Sequence, residues 1–189
     1  MNDVYWIYED KFIFKPEFNE PIDKYVDIIK NYSQLIFSNY DDLEICIETN
    51  NDYEFKYNHK FIESRFNQQL SNELDNLTCL THLTLGYYFN QSLEIPFNIK
   101  ILTLECNNIN LIENLPNSIE ELNFNYNFEL ELNNLPNSIK IIRFDKESNY
   151  NKELNNLPKQ LEILELPDKY NIDLININPD CKIKLNSFL

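Results

Sequence analysis

The chain has 189 residues, of which 43% are hydrophobic and 14% aromatic, and this is enough apolar surface for one continuous core. Its formal charge of −15 argues against binding to a nucleic-acid backbone or to an anionic membrane surface. A single glycine excludes a glycine-rich phosphate loop.

Residues 1–60 predict three short elements in chain order. Alternating apolar residues predict a hairpin over 4–14, apolar residues on one helical face predict a helix over 21–31, and residues 43–48 predict a strand. The end of a repeat array exposes apolar surface and unpaired strand edges, so an atypical terminal segment is needed there. We therefore expect residues 1–60 to form a small N-terminal α/β cap. A small adaptor domain is the alternative.

From residue 61 onward the chain repeats itself about every 20 residues. Apolar residues recur in pairs separated by one polar residue, which is the pattern of a short strand with one buried face. We predict one parallel strand per repeat, over 82–85, 101–104, 121–124, 141–144, 163–166 and 182–185. The first apolar column is Leu83, Leu102, Leu122, Ile142, Leu164 and Ile183, and the second is Leu85, Leu104, Phe124, Phe144, Leu166 and Leu185.

Two further phrases recur between the predicted strands. One is Phe-Asn-x-x-Leu, as at 66–70 and 89–93, and the other is Leu-Pro-x-Ser-Ile, as at 115–119 and 135–139. In this order the phrases resemble the FNIP repeat, a divergent leucine-rich repeat known from amoebae and giant DNA viruses. The resemblance covers roughly residues 57–189. It implies an α/β-type, leucine-rich-repeat-like solenoid over 61–189. Repeats this short leave no room for a full helix, so we expect extended or 3₁₀ segments opposite the strands.

No residue set in the sequence indicates catalysis, a metal site or a cofactor. His59 and His82 are too far apart to form a metal pair by spacing, and the four cysteines contain no C-x-x-C pair. We expect the cysteines to be free, buried or half-buried thiols. With no signal peptide or membrane span apparent, reduced thiols favour the cytosol of the producing or host cell.

Candidate binding residues are those of the predicted strands that point away from the core. They are Ile101, Thr103, Glu121, Asn123, Ile141, Arg143, Ile163 and Glu165. The three isoleucines form either a small recognition patch or ordinary strand filling. Arg143 is either an anchor for a partner's carboxylate or one half of a local salt bridge to Glu121 or Asp145.

These features together predict a non-catalytic protein–protein interaction module of unidentified partner. Two alternatives are a substrate-receptor subunit of a ubiquitin ligase and a self-associating structural protein. The ligase alternative needs residues 1–60 to bind an adaptor, and the structural one needs an open end of the solenoid to stack on another copy.

Overall fold

A single sheet organises the fold. The computed structural model describes residues 4–47, 61–70, 73–174 and 176–185. Within these ranges nine strands, β1 to β9, lie side by side in sequence order. β1 and β2 are antiparallel, and every later neighbouring pair is parallel. The strands are Tyr5–Tyr8, Lys11–Phe14, Gln34–Phe37, His82–Leu85, Ile101–Leu104, Glu121–Phe124, Ile141–Phe144, Ile163–Leu166 and Lys182–Leu185.

The six strands predicted from the repeat, β4 to β9, are confirmed with their predicted bounds. Leu83 pairs in register with Leu102, and Leu102 with Leu122, so the first apolar column runs straight across the sheet. From β4 to β8 both columns are buried and the residues between them are half-buried on the opposite side. This pattern is the one expected of a leucine-rich-repeat-like solenoid, whose apolar face is closed by the neighbouring repeats.

The N-terminal region follows the prediction only in part. The hairpin is present as β1 and β2, and the segment 21–31 contains a 3₁₀ turn at Asp23–Tyr25 followed by the short helix α1 at Val26–Ile29. β3 was not predicted, and it pairs with β2 and β4 as a regular member of the parallel sheet. The stack of parallel strands therefore begins within residues 1–60.

The strand predicted over 43–48 is wrong, because Leu43–Ile47 forms the helix α2. Leu43, Ile45 and Ile47 alternate as in a strand, but residues 43 and 47 also lie four apart, as on one face of a helical turn. The carboxylate of Asp42 accepts a hydrogen bond from the Glu44 amide at 2.9 Å. Such a contact satisfies an amide that the first turn of a helix leaves without a partner, so it favours the helix here.

Opposite the sheet, the outer wall consists mainly of extended segments and turns, as predicted for repeats this short. Its regular elements in the described ranges are the 3₁₀ turn and helix α1 between β2 and β3, a 3₁₀ turn at Leu74–Asn76 and the helix α3 at Ile109–Glu113. α3 lies in the repeat where Asn107, Asn108 and Ile109 interrupt the Phe-Asn-x-x-Leu phrase. There Asn108, which is buried, takes the place of the phenylalanine.

Stacked aromatic rings and asparagines connect one turn of the outer wall to the next. The ring of Phe66 stacks on those of Phe18 at 5.8 Å and Phe89 at 6.1 Å between centroids. The side-chain oxygen of Asn67 accepts a hydrogen bond from the Asn90 amide at 2.9 Å, and Asn19 serves the Asn67 amide in the same way. In these turns the Phe-Asn phrase thus supplies one buried ring and one acceptor for a backbone amide of the next turn.

The turn after β3 carries a large insertion. Phe18, Phe89, Phe128 and Tyr170 each follow the last residue of their strand by four positions, whereas Phe66 follows Phe37 by 29. The rings of Phe37 and Phe66 nevertheless stack at 3.8 Å. This interval is therefore about 25 residues longer than in the other four turns, and residues 48–60 within it lie outside the described residues.

Candidate functional site

The candidate site lies on the open face of the sheet, the side away from the apolar columns. Two rows of side chains cross this face at the first and third positions of each strand. The first row contains Ile101, Glu121, Ile141 and Ile163, and the second contains Thr103, Asn123, Arg143 and Glu165. All the residues that the sequence singled out are therefore brought together on one surface. Neighbouring strands are about 4.8 Å apart, so the spacing along each row is fixed by the backbone.

An ion-pair network crosses the second row. The guanidinium of Arg143 contacts Glu121 on β6 through a hydrogen bond from Nη1, and its Nε lies 3.2 Å from a carboxylate oxygen of Glu165 on β8. The ammonium of Lys184 on β9 donates to the other oxygen of Glu165 at 2.7 Å. Arg143 thus already holds two carboxylates of its own chain, and the local salt bridge to Glu121 is present.

A cleft of about 630 Å³ opens on this face above strands β2 to β7. Of the predicted residues, Ile101, Thr103, Glu121, Asn123 and Arg143 line the cleft. The remaining predicted residues lie beside it on β7 and β8. A cleft of this size exceeds what one side chain of a partner fills, so several residues of a bound segment fit into it.

The inserted segment after β3 forms one wall of the cleft. Tyr40, Ile45 and Cys46 line the cleft together with Ile36 and Ser38 at the end of β3. Sequence reasoning missed this wall. The available signal was the interval of 29 residues between Phe37 and Phe66, since insertions in repeat proteins go into loops and often onto the binding face.

Ionisable groups in the cleft are shifted by their surroundings. Burial raises the pKa of the Cys46 thiol to about 11, so it is protonated near neutral pH; its Sγ lies 2.9 Å from the Ser38 hydroxyl. Burial lowers the pKa of His82, against an opposing effect of Asp10 and Glu121. The His82 Nδ1 lies 2.7 Å from the Thr81 hydroxyl. A protonated thiol is a poor nucleophile, so burial makes Cys46 less reactive than a free cysteine.

The four cysteines differ in their exposure to solvent. All four cysteines are free thiols; Cys106 is buried, Cys46 and Cys181 are half-buried, and Cys79 is exposed, contrary to its predicted burial. Within the ranges that the structure describes, no group of three or more potential ligands is arranged to hold a metal ion. The helices of the same ranges include none that is both long and apolar enough to cross a membrane.

Comparison with known proteins connects this fold to a repeat family. The FNIP repeat model matches residues 89–127, 107–147 and 126–169, three overlapping windows that follow the repeat period. No curated protein matches the chain significantly. Among solved structures, the chain resembles the crystal structure of CroV588, described as a novel circular LRR protein, with a TM-score of 0.54 and 22% identity.

The two matches cover different shares of the chain. The likeness to CroV588 covers 89% of this chain and 26% of the other, so this chain spans about a quarter of that protein's length. At this identity the likeness shows the fold alone. The family match rests on the repeats themselves. Residues 89–169 therefore match the FNIP repeat, and the chain has a leucine-rich-repeat-like fold.

Proposed function

We propose that the protein is a non-catalytic protein–protein interaction module that binds its partner on the open face of the sheet. The cleft walled by the inserted segment is the observation that carries this proposal, because it joins a rigid strand platform to side chains from outside the repeats. The eight singled-out residues combine three isoleucines with polar and charged side chains on this face, as binding surfaces do. Repeat proteins commonly use such extended faces for binding.

Arg143 was considered both as an anchor for a partner's carboxylate and as half of a local salt bridge. Arg143 contacts Glu121 and Glu165, so a partner's carboxylate has to displace one of them to reach the guanidinium. We therefore assign Arg143 mainly to ordering the face. Ile101, Thr103 and Asn123, which line the cleft, become the principal contact residues.

Two further proposals concern the N-terminal region and the location of the protein in the cell. We propose that residues 1–60 cap the solenoid of residues 61–189, because the antiparallel strand β1 covers the outer edge of β2; β2 and β3 of the same region already continue the parallel sheet. The location we propose is the cytosol, supported by the free thiols. The ligase-receptor and self-association alternatives are decided by the identity of the captured partner.

A bulky substitution in the cleft tests the proposed function. We expect Thr103→Trp to abolish capture of the partner by affinity purification from the native cell, because the indole occupies the floor of the cleft. Asn117→Trp, on an exposed corner between strands, is the matched control and should capture as the wild type does. Capture of the same partner by folded Thr103→Trp protein would contradict the proposal. Recovery of ligase adaptors alone would favour the receptor alternative, and recovery of this chain alone would favour self-association.

A further inference from the structure

Hydrogen bonds of Asn39 connect the two ends of the inserted segment to the sheet. The side-chain oxygen of Asn39, which is fully buried, accepts hydrogen bonds from the Ser64 amide at 2.7 Å and the Tyr87 amide at 3.2 Å. Its backbone carbonyl accepts a third from the Ile62 amide at 2.8 Å. One asparagine thus connects the departing chain, the returning chain and the next repeat. The wall formed by Tyr40, Ile45 and Cys46 is therefore a fixed part of the cleft.

Gly86 allows this close approach. A Cβ at position 86 would lie 2.3 Å from the Ser64 Cβ and 2.8 Å from the Phe37 carbonyl oxygen. Real Cβ atoms do not come this close, so a larger residue would push the returning chain away from the sheet. The only glycine in the sequence stands at the point where the insertion rejoins the repeats.

The charges lining the cleft are unevenly placed. The basic side chains Lys11 and Arg143 each lie against a carboxylate, Lys11 at 3.7 Å from Asp10. At the exit end of the strands the lining residues are Glu105, Asn125 and Asp145, which come from three adjacent repeats. The side-chain oxygen of Asn125 is buried and accepts no hydrogen bond within the described residues. Two of these three side chains are carboxylates, and among the described residues that line this end of the cleft none is basic.

The carboxylates at this end of the cleft also affect the ionisable side chains of the wall, Tyr40 and Cys46. Burial is the main cause that raises the pKa of Tyr40, and the charges of Glu105 and Asp145 add to it. Burial likewise dominates the raised pKa of Cys46, with a further contribution from Glu105. The whole chain has the same bias, with 31 acidic side chains against 16 basic ones. A positively charged partner is therefore favoured over a neutral or acidic one.

We propose that the cleft binds an extended basic segment of a partner protein, with a lysine or arginine side chain seated among Glu105, Asn125 and Asp145 beside the ring of Tyr40. This inference rests on the proposed function and adds the chemistry of its partner. The five strands β3 to β7 span roughly 20 Å, the length of about six extended residues. Ile36 and Ile101, which line the same cleft, offer contacts for the uncharged side chains between the basic ones.

A labelled peptide tests the inference directly. The probe is a fluorescein-labelled hexapeptide of alternating lysine and valine, compared with the same peptide carrying glutamate for lysine. Fluorescence anisotropy at about 0.05 M and about 0.5 M salt reports affinity and its screening. We expect the lysine peptide to bind at least about tenfold more tightly than the glutamate peptide, with the difference reduced at high salt.

Matched charge variants locate the binding. Glu105→Gln combined with Asp145→Asn should weaken lysine-peptide binding about tenfold, because both removed charges line the cleft. The control pair Glu113→Gln with Glu129→Gln removes the same charge from exposed positions outside the cleft and should change affinity little. If the double variant has a lower melting temperature than the wild type, the single variant Asp145→Asn replaces it in the test. The asparagine side-chain oxygen can still accept a hydrogen bond from the Glu147 amide, a contact of 2.9 Å in the wild type.

The outcomes separate this inference from the proposed function. Absence of lysine-peptide binding, no preference over the glutamate peptide, or an equal effect of the control pair would each overturn the basic-segment inference. Loss of a captured partner in Thr103→Trp, together with any of these results, would leave the proposed function standing and refute only the chemistry assigned to its partner.

Discussion

Replacing Arg143 with methionine should destabilise the protein, because the guanidinium joins three neighbouring strands. It contacts Glu121 on β6 and lies 3.2 Å from Glu165 on β8. The two carboxylates are only 17% and 13% exposed, so water replaces the lost partner incompletely. Methionine keeps most of the side-chain length and apolar stem, so the variant isolates the charge.

The expected magnitude follows from the geometry. Two unit charges at about 4 Å interact by about 1 kcal/mol in water and by about 4 kcal/mol at the effective dielectric of a protein surface. Glu165 keeps Lys184 at 2.7 Å, and Glu121 keeps a hydrogen bond from Asn123 at 3.1 Å. We therefore expect Arg143→Met to lower the free energy of unfolding by about 1 to 2 kcal/mol. Arg143→Glu places a third carboxylate between the other two and should cost about 2 to 4 kcal/mol.

Urea unfolding at low salt and at about 1 M salt measures both effects. The additional loss in Arg143→Glu should shrink at high salt, where the Debye length falls to about 3 Å. Lys184→Met is the control: its side chain is 56% exposed at the end of the network, and its loss should cost about 0.5 kcal/mol or less. Unfolding curves of Arg143→Met that coincide with the wild type would show that the network does not stabilise the fold.

Three further predictions concern the core, the insertion and pH. Leu122→Ala and Ile142→Ala should each lower the unfolding free energy in urea by about 2 to 5 kcal/mol, since both side chains are fully buried between repeats; unchanged melts would remove them from the core. Gly86→Ala should cost about 1 to 3 kcal/mol, and Ser64→Gly in the same chain should restore part of it by removing the clashing Cβ. The pKa of His82 is lowered in the fold, so the folded state binds this proton less readily than the unfolded chain does. The contribution of His82 to stability is therefore complete above about pH 6.5 and is lost as the pH falls below that value. The unfolding free energy of His82→Gln should fall less steeply below about pH 6.5 than that of the wild type, and equal pH dependence of the two would refute this prediction.

The repeat period was sufficient to predict the strands, because each strand uses only four residues and every repeat buries the same two. The steps between Leu83, Leu102 and Leu122 therefore become the register of the sheet without adjustment. The same columns continue to Phe12 and Leu35 in β2 and β3. They were not recognised there because the insertion after β3 interrupts the period.

Local structure within the insertion was harder to predict. A five-residue apolar alternation fits one turn of helix as well as a strand, and the Asp42 contact that favours α2 depends on a side-chain conformation. The pairing of Arg143 with Glu121 was one of two local partners considered from the sequence, whereas the contact with Glu165 needed the register of β7 against β8. Whether a partner contacts the open face remains a prediction.

A site-specific photo-crosslink tests the central claim most directly. A photoreactive phenylalanine analogue at position 103, on the floor of the cleft, should form a covalent adduct with the captured partner, and the same analogue at the exposed corner position 117 should form none. Adducts from position 117 without adducts from position 103, in two proteins with wild-type melting temperatures, would contradict binding on the open face.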